Sequence, residues 1–245
     1  MVSDNEVDTV SVGSLMPYAV DRDPNVAAMA TRGILQPSQF NWQVTGANNK
    51  IDFGTFNSST GLYENDSITV SWGQTTGSFE VSTAENSIRN DIILCADETP
   101  SVINIEIIDL PEVGFVDSVG GACTSADILI PLRLKGYGPW DITYDITFTN
   151  LQGTKSVIST GTEKQVGEVS NKFDDTSSDL LDLPVLTDEL GFAQGNYTIT
   201  ITQIDDRFTN KSLIDINGNV DLENNSFDIF LYPTPNTSPI KHIKN

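Results

Sequence analysis

The sequence predicts an all-β chain of two tandem antiparallel β-sandwich domains, and three observations predict it. Apolar and polar residues alternate with period 2 through most of the readable segments. Those segments are short and separated by turn residues rather than by helical stretches, which argues against a βαβ fold. At about 150 residues per domain, 245 residues allow one large β domain or two smaller ones.

In the first half Phe40, Trp42 and Val44 point one way, with Asn41, Gln43 and Thr45 the other. Ile68, Val70 and Trp72 repeat the pattern after a turn at Glu64, Asn65 and Asp66, and Phe79 and Val81 continue it beyond Gly73–Gly77. Ile92 and Leu94, then Val102, Ile103, Ile105 and Ile107, complete this set of strands. Proline cannot donate to a sheet ladder, so Pro111 within Asp109-Leu110-Pro111-Glu112 marks a break. A fresh series follows: Ile128, Ile130, Leu132 and Leu134; Ile142, Tyr144, Ile146 and Phe148; Tyr197, Ile199 and Ile201; Phe227, Ile229 and Leu231. The predicted domains are therefore residues 1–111 and 112–235, with an acidic insertion over about 170–194 and a flexible tail over 236–245. Two stretches have a helical look. Pro24 to Thr31 follows an Asp23-Pro24 start signal, and Leu186 to Leu190 lies beyond Pro184; both read as insertions in loops.

Composition excludes several chemistries. Lys and Arg number 13 against 34 Asp and Glu, a formal net charge of −21. Such a chain repels phosphate backbones and anionic membrane surfaces. The one histidine, His242, lies near the end of a Pro/Asn/Lys tail, a poor position for a catalytic triad or a histidine-metal site. Two cysteines cannot make a four-thiolate zinc site. No run of apolar residues is long enough to span a membrane as a helix. Met1 to Glu6 lack the basic and apolar regions of a signal peptide, which fits either a cytoplasmic protein or a mature form with an added Met1, and the exported look of the rest favours the second.

Two stretches carry a resemblance. Phe40-Asn41-Trp42-Gln43-Val44-Thr45-Gly46, then Ser67-Ile68-Thr69-Val70-Ser71-Trp72-Gly73 and Gly77-Ser78-Phe79-Glu80-Val81, resemble the PKD-like module of large surface proteins from gliding bacteria that use type IX secretion. Leu134 to Tyr144, containing Gly136-Tyr137-Gly138-Pro139-Trp140, is similar to a segment of the Ig-like module that follows in such proteins. Gly195-Asn196-Tyr197-Thr198-Ile199 and Tyr232-Pro233-Thr234-Pro235 are similar to its late strand and its exit. The long acidic insertion between Val169 and Gly195 departs from that pattern. The resemblance implies sandwiches used for spacing, display or docking, and no catalytic residues.

On physical grounds Trp42, Trp72 and Trp140 read as core, since a buried indole removes about 150–250 Å² of surface from water. The alternative is a sugar-stacking platform, which would need these rings exposed. Cys95 and Cys123 flank the predicted linker; paired, they would staple the two domains, and the alternative is two separate thiols. Asp215, Asn217, Asn219 and Asp221 place oxygens at alternate positions, as the start of a calcium loop does. Against calcium, Val220 and Ser226 stand where an EF-hand needs Gly and Glu, and an Asn217-Gly218 hairpin turn accounts for the same residues. Asp174, Asp175, Asp179 and Asp182 form a second candidate for cation or partner binding, a solvated acidic loop being the plainer reading. In line with the resemblance, Thr9, Ser67 and Ser118 each sit in an Asp-Ser/Thr-aliphatic tripeptide of the kind that periplasmic O-glycosylation uses in such bacteria. Ile240 and Ile243 in the tail are candidates to lie on a partner.

The function expected is a non-enzymatic structural or protein-interaction module, exported to the periplasm, outer membrane or cell surface and associated with gliding or type IX secretion machinery. Its partners would be other envelope or surface proteins, with no nucleic acid, no membrane insertion and no cofactor unless calcium. A carbohydrate-binding or adhesin module is the first alternative, and a hydrolase-accessory domain the second. A hydrolase using a carboxylate pair would need an open cleft with one acid of raised pKa.

Overall fold

The computed structural model describes residues 7–123, 129–166, 180–182 and 194–232. The chain forms two compact units, Met1–Leu110 with Phe208–Ile216, and Pro111–Arg207 with Asn217–Asn245. Both described units are all-β sandwiches.

In the first unit the strands run β1 (Val7–Ser11), β2 (Leu15–Ala19), β3 (Gln36–Phe40), β4 (Gln43–Val44), β5 (Lys50–Phe53) and β6 (Phe56–Asn57). They continue with β7 (Leu62–Tyr63), β8 (Ser67–Ser71), β9 (Gly77–Thr83), β10 (Glu85–Arg89), β11 (Ile92–Ala96) and β12 (Ser101–Ile108). One sheet has the order β1-β12-β9-β4, with β1 parallel to β12; the other has the order β2-β8-β5 and is antiparallel. Their inner faces carry the alternating residues the sequence marks out: Phe40, Trp42, Ile68, Val70, Trp72, Val81, Ile105 and Ile107 form one buried cluster. A third sheet, β11-β10-β3-β7-β6, extends the first one outward. Its strands β3, β10 and β11 are the chain continuations of β4, β9 and β12 in the first sheet. At the bend between β9 and β10 the Asn41 N–H donates to the Ala84 carbonyl at 2.9 Å.

Between β2 and β3 lies the single α-helix of the described residues, α1 (Pro24–Thr31). It forms because the Asp23 carboxylate accepts the N–H groups of Asn25 (2.7 Å) and Val26 (3.2 Å), and Pro24 starts the first turn without a wasted donor. Residues 208–216 complete this unit: the Leu213 N–H donates to the Leu15 carbonyl (2.9 Å) and the Leu15 N–H to Ser212 Oγ (3.3 Å), along the edge strand β2.

The second unit contains β13 (Glu112–Phe115), β14 (Val119–Cys123), β15 (Leu129–Lys135), β16 (Trp140–Thr149), β17 (Lys155–Val166), β18 (Leu180–Asp182), β19 (Gly195–Asp205), β20 (Asn219–Val220) and β21 (Ser226–Tyr232). Its sheets have the orders β18-β15-β13-β20 and β14-β21-β19-β16-β17. The second sheet sets the late strands β21 and β19 beside β16, which is the G-F-C order of an immunoglobulin-type sandwich, with β17 added as in variable-type domains. Ile130, Leu132 and Leu134 of β15 face Trp140, Ile142, Tyr144 and Ile146 of β16 and Tyr197, Ile199 and Ile201 of β19 in one core. Each lies two positions from the next, so the period-2 pattern alone puts them on one face.

The reading of Asn217-Gly218 as a hairpin turn is corrected. The segment enters β20, which pairs in parallel with β13 through Glu112↔Asn219 and Val113↔Val220. Gly218 is not among the residues of positive φ. It is required for close approach: its N–H donates to the Ile204 carbonyl at 2.8 Å, and Asn219 donates to the Pro111 carbonyl at 2.7 Å. Asn-Gly signals a turn only when the chain doubles back on itself, and here a more distant strand takes the pairing.

Candidate interaction site

In the first unit the β10–β11 hairpin occupies the place of the F–G loop of an immunoglobulin-type sandwich. Its two-residue turn, Asn90-Asp91, has φ of 52° and 58°, the paired positive values of a type I′ turn, which Asn and Asp tolerate. Gln36 of β3 clamps that turn: the Asp91 N–H donates to Gln36 Oε1 (2.9 Å) and Gln36 Nε2 donates to Asp91 Oδ1 (3.2 Å).

The inner part of the hairpin is firmly held. Ile88 is fully buried, and Asn86 Nδ2 donates to the Ala84 carbonyl at 3.0 Å. Ser38 donates to the Glu85 carboxylate, which also accepts the Asp23 N–H at 2.7 Å and so ties the start of α1 to β10. Arg22 pairs with Asp66 (2.8 Å), donates to the carbonyls of Ser38 and Glu64 (3.3 Å each), and lies over the Phe40 ring (5.2 Å).

The outer strand is exposed. Ile92, Ile93 and Leu94 are 62%, 42% and 52% exposed, and every residue from Asp91 to Pro100 is exposed. Among the described residues no strand lies beyond β11. The register slips at Leu94, because Ser87 faces Cys95 while Ile88 faces Ile93. Period 2 predicts Ile92 and Leu94 in a strand, and they lie in β11, but it does not predict their exposure. Alternation reports a strand's faces and is silent on whether a neighbour covers its edge. A run of consecutive apolar residues, Ile92-Ile93-Leu94, was the signal available.

The second unit holds a polar cleft of about 390 Å³ lined by Glu112, Arg133, Asn219, Asp221 and Asn224 among others. Arg133 is paired with Asp221, and Lys135 with Glu112 at 3.0 Å. The Asp221 carboxyl is held below its ordinary pKa, first by the hydrogen bond from Asn224, then by the Glu223 N–H and the Arg133 charge, with burial opposing. A general acid needs the opposite shift, so Asp221 is not set up as one.

The three indoles are core: Trp42, Trp72 and Trp140 are 6%, 2% and 0% exposed. They supply no sugar-stacking platform. Tyr137 is half-buried with Arg207 over its ring at 5.7 Å. Asp215, Asn217 and Asn219 are exposed, and Asp215 belongs to the segment of the first unit while Asn217, Asn219 and Asp221 belong to the second. Among the described residues no group of three or more His, Cys, Asp or Glu could hold a metal ion. Thr9 is half-buried in β1, whereas Ser67 and Ser118 are exposed. Cys95 stands exposed on β11 as a free cysteine. The side chains of Cys123 and Asp182 lie outside the described residues, as do Asp174, Asp175, Asp179, Ile240, Ile243 and the helical stretch read at Leu186 to Leu190. No helix of the described residues is long and apolar enough to cross a membrane.

No family model and no curated protein matches the chain. Three solved structures illustrate its similarities. An I-band fragment of titin is 8% identical, covering 94% of this chain and 63% of its own, with a TM-score of 0.28. The four N-terminal Ig domains of Dscam1 isoform 9.44 are 12% identical over 94% of this chain and 50% of theirs, at 0.24. The cysteine protease inhibitor EhICP2 from Entamoeba histolytica is 9% identical over 42% of this chain and 85% of its own, at 0.27. The chain thus spans less than two thirds of the titin fragment and half of the Dscam1 structure. With similarities at this level, the assignment to the all-β sandwiches rests on strand order and on the two cores.

Proposed function

We propose that this chain is a non-enzymatic tandem β-sandwich that serves as a protein-interaction and spacing module, with the β10–β11 hairpin of the first unit as its contact element. One observation carries the reading: a firmly anchored hairpin presents a strand that no other described strand covers, and its three large apolar residues, Ile92, Ile93 and Leu94, are exposed. Apolar side chains on an unpaired edge invite pairing with another chain, and a soluble protein with no use for such an edge blunts it with charge or covers it.

In the finer reading, supported by the resemblance of the strand motifs around Trp42, Trp72 and Trp140, the module works outside the cytoplasm. It would stand among envelope or cell-surface proteins of a gliding or type IX secretion system. The charge of −21 fits protein partners better than nucleic acid or anionic lipid.

The test is differential capture. Immobilised wild-type chain and the I92K/L94K variant are incubated with solubilised envelope proteins of the source cell, and retained proteins are quantified by mass spectrometry. Proteins held by the wild type and lost with the variant support the reading; identical retention by both overturns it.

A further inference from the structure

We propose that the outer edge of β11 is a docking site for an extended segment of another protein, which adds a strand to the sheet β11-β10-β3-β7-β6, and that this segment is apolar in its middle and basic at both ends. The inference rests on the reading of the hairpin as the contact element and names its partner.

The backbone argues for a strand as occupant. β11 is the outermost strand of its sheet, so main-chain groups along its far side have no ladder partner among the described residues. Its inner side is fixed to β10 through Asn86↔Ala96, Ser87↔Cys95, Ile88↔Ile93 and Arg89↔Ile92. The hairpin is therefore a preformed template, and the incoming strand alone has to be ordered. The irregularity at Leu94 restricts which strand can follow the edge, since a bulged ladder continues only with a matching offset.

The side chains argue for the composition. Five consecutive residues, Ile92 to Ala96, are uncharged and exposed, so both faces of an added strand would meet apolar surface. Just outside them stand Asp91 on one side and Asp97 and Glu98 on the other, all exposed. Asp91 is engaged by Gln36, and Asp97 Oδ1 by the Thr99 N–H (2.9 Å) and Oγ1 (3.0 Å); neither contact removes the charge. Arg89, opposite Ile92 in β10, is the one basic residue of the hairpin. An apolar strip bracketed by acids matches a strand bracketed by Lys or Arg, and the net charge of −21 favours encounter with it.

The same charges disfavour a second copy. The antiparallel register that would pair all five residues of β11 with themselves centres on Leu94. It sets Asp91 opposite Asp97 and Asn90 opposite Glu98, and like charges placed directly opposite destabilise a pair.

The test uses the full chain and a labelled nine-residue peptide of two lysines, Val-Ile-Val-Ile-Val, and two lysines, titrated by fluorescence anisotropy to about 1 mM. Comparators carry glutamates in place of the lysines, or N-methyl groups at alternate backbone amides in either phase. The expected results are saturable binding, a loss of about tenfold or more with glutamate ends, and loss of binding in one N-methyl phase. Amide exchange in Ile92–Ala96 should slow by about tenfold on binding, and I92K/L94K should lose the peptide while M29K, on α1, keeps it. An unchanged melting temperature for I92K/L94K, expected because both side chains are exposed, shows that the loss is local.

Equal binding by lysine- and glutamate-ended peptides, indifference to N-methylation, or unchanged exchange in β11 would each overturn the proposal. So would a dimer in sedimentation that I92K/L94K abolishes, since a second copy would then own the edge. If I92K/L94K loses native partners but the lysine peptide does not bind, this proposal falls and the contact reading stands. If native partners stay and the peptide does not bind, both fall.

Discussion

A side chain at Gly218 has nowhere to go. An added Cβ would lie 2.5 Å from the Pro111 carbonyl oxygen, 2.6 Å from Ile204 Cγ2 and 2.7 Å from Pro111 Cγ. The nearest atom is main chain, and that oxygen is already held by the Asn219 N–H at 2.7 Å, so it cannot swing aside without breaking the entry to β20. Overpacking of this kind costs about 1–3 kcal/mol, and the fixed oxygen puts G218A toward the upper end. The cost falls on β13, β19 and β20, all in the second unit. It is best read by urea-dependent hydrogen exchange of peptides from β13 and β19, which isolates that unit from the other. With an ordinary denaturant slope, the expected loss lowers the midpoint by about 1 M urea. G218N should be at least as damaging, whereas at a positive-φ turn Asn would be tolerated. Stability of G218A or G218N within about 0.5 kcal/mol of wild type would refute the close-approach argument, and tolerance of Asn but not of Ala would return the segment to a turn.

Trp140 is completely buried in the second core, so W140A should cost about 3–5 kcal/mol, read as a lowered urea midpoint in the same β13 and β19 peptides with the first unit unchanged. Because the Asp221 carboxyl is held below its ordinary pKa when folded, it stabilises the second unit above its unfolded pKa and loses that contribution as pH falls through the folded one. Stability measured from neutral pH down to about pH 2 should therefore fall less steeply in D221N and N224A than in wild type. The Tyr18 phenol is pushed well above its ordinary range, first by burial and then by the Asp8 charge, and its ring packs edge-on against Trp72 at 6.1 Å. Its folded pKa is raised, so the associated stability is complete below the unfolded value and is lost as pH climbs above about 10. Spectrophotometric titration should show Tyr18 ionising together with unfolding of the first unit, and Y18F should remove that step.

Much of this architecture is legible residue by residue. Ile130, Leu132 and Leu134, then Ile142, Tyr144 and Ile146, recur every second position and are all buried. Such a repeat can put them on one face only of a pleated strand. Asp23-Pro24 announces α1 because capping is local chemistry, confined to the next three residues. The candidate site was far less legible. Ile92-Ile93-Leu94 resembles any other apolar run in a strand, and what makes it a site is the absence of a neighbour on its far side among the described residues, a property of sheet order. Asn217-Gly218 resembles a hairpin turn for a related reason, since its partners Pro111 and Ile204 are remote in sequence. Likewise nothing local in residues 208–216 marks them as part of the first unit, to which Leu213 and Ser212 tie them through Leu15.

What the sequence by itself determined was the kind of protein: all-β, strongly acidic, with three tryptophans set at core positions and no residues arranged for the chemistries that its single histidine and two cysteines exclude. These follow from composition and from interactions between residues one to four positions apart, where pleat, caps and charge counts act. The tertiary structure decided which strand stands last in its sheet, which glycine is needed for space rather than for φ, and which acids bracket an exposed apolar edge. Those outcomes depend on pairing between strands far apart in the chain, and the hydrogen-bonding groups of every strand are the same until the fold assigns them a neighbour.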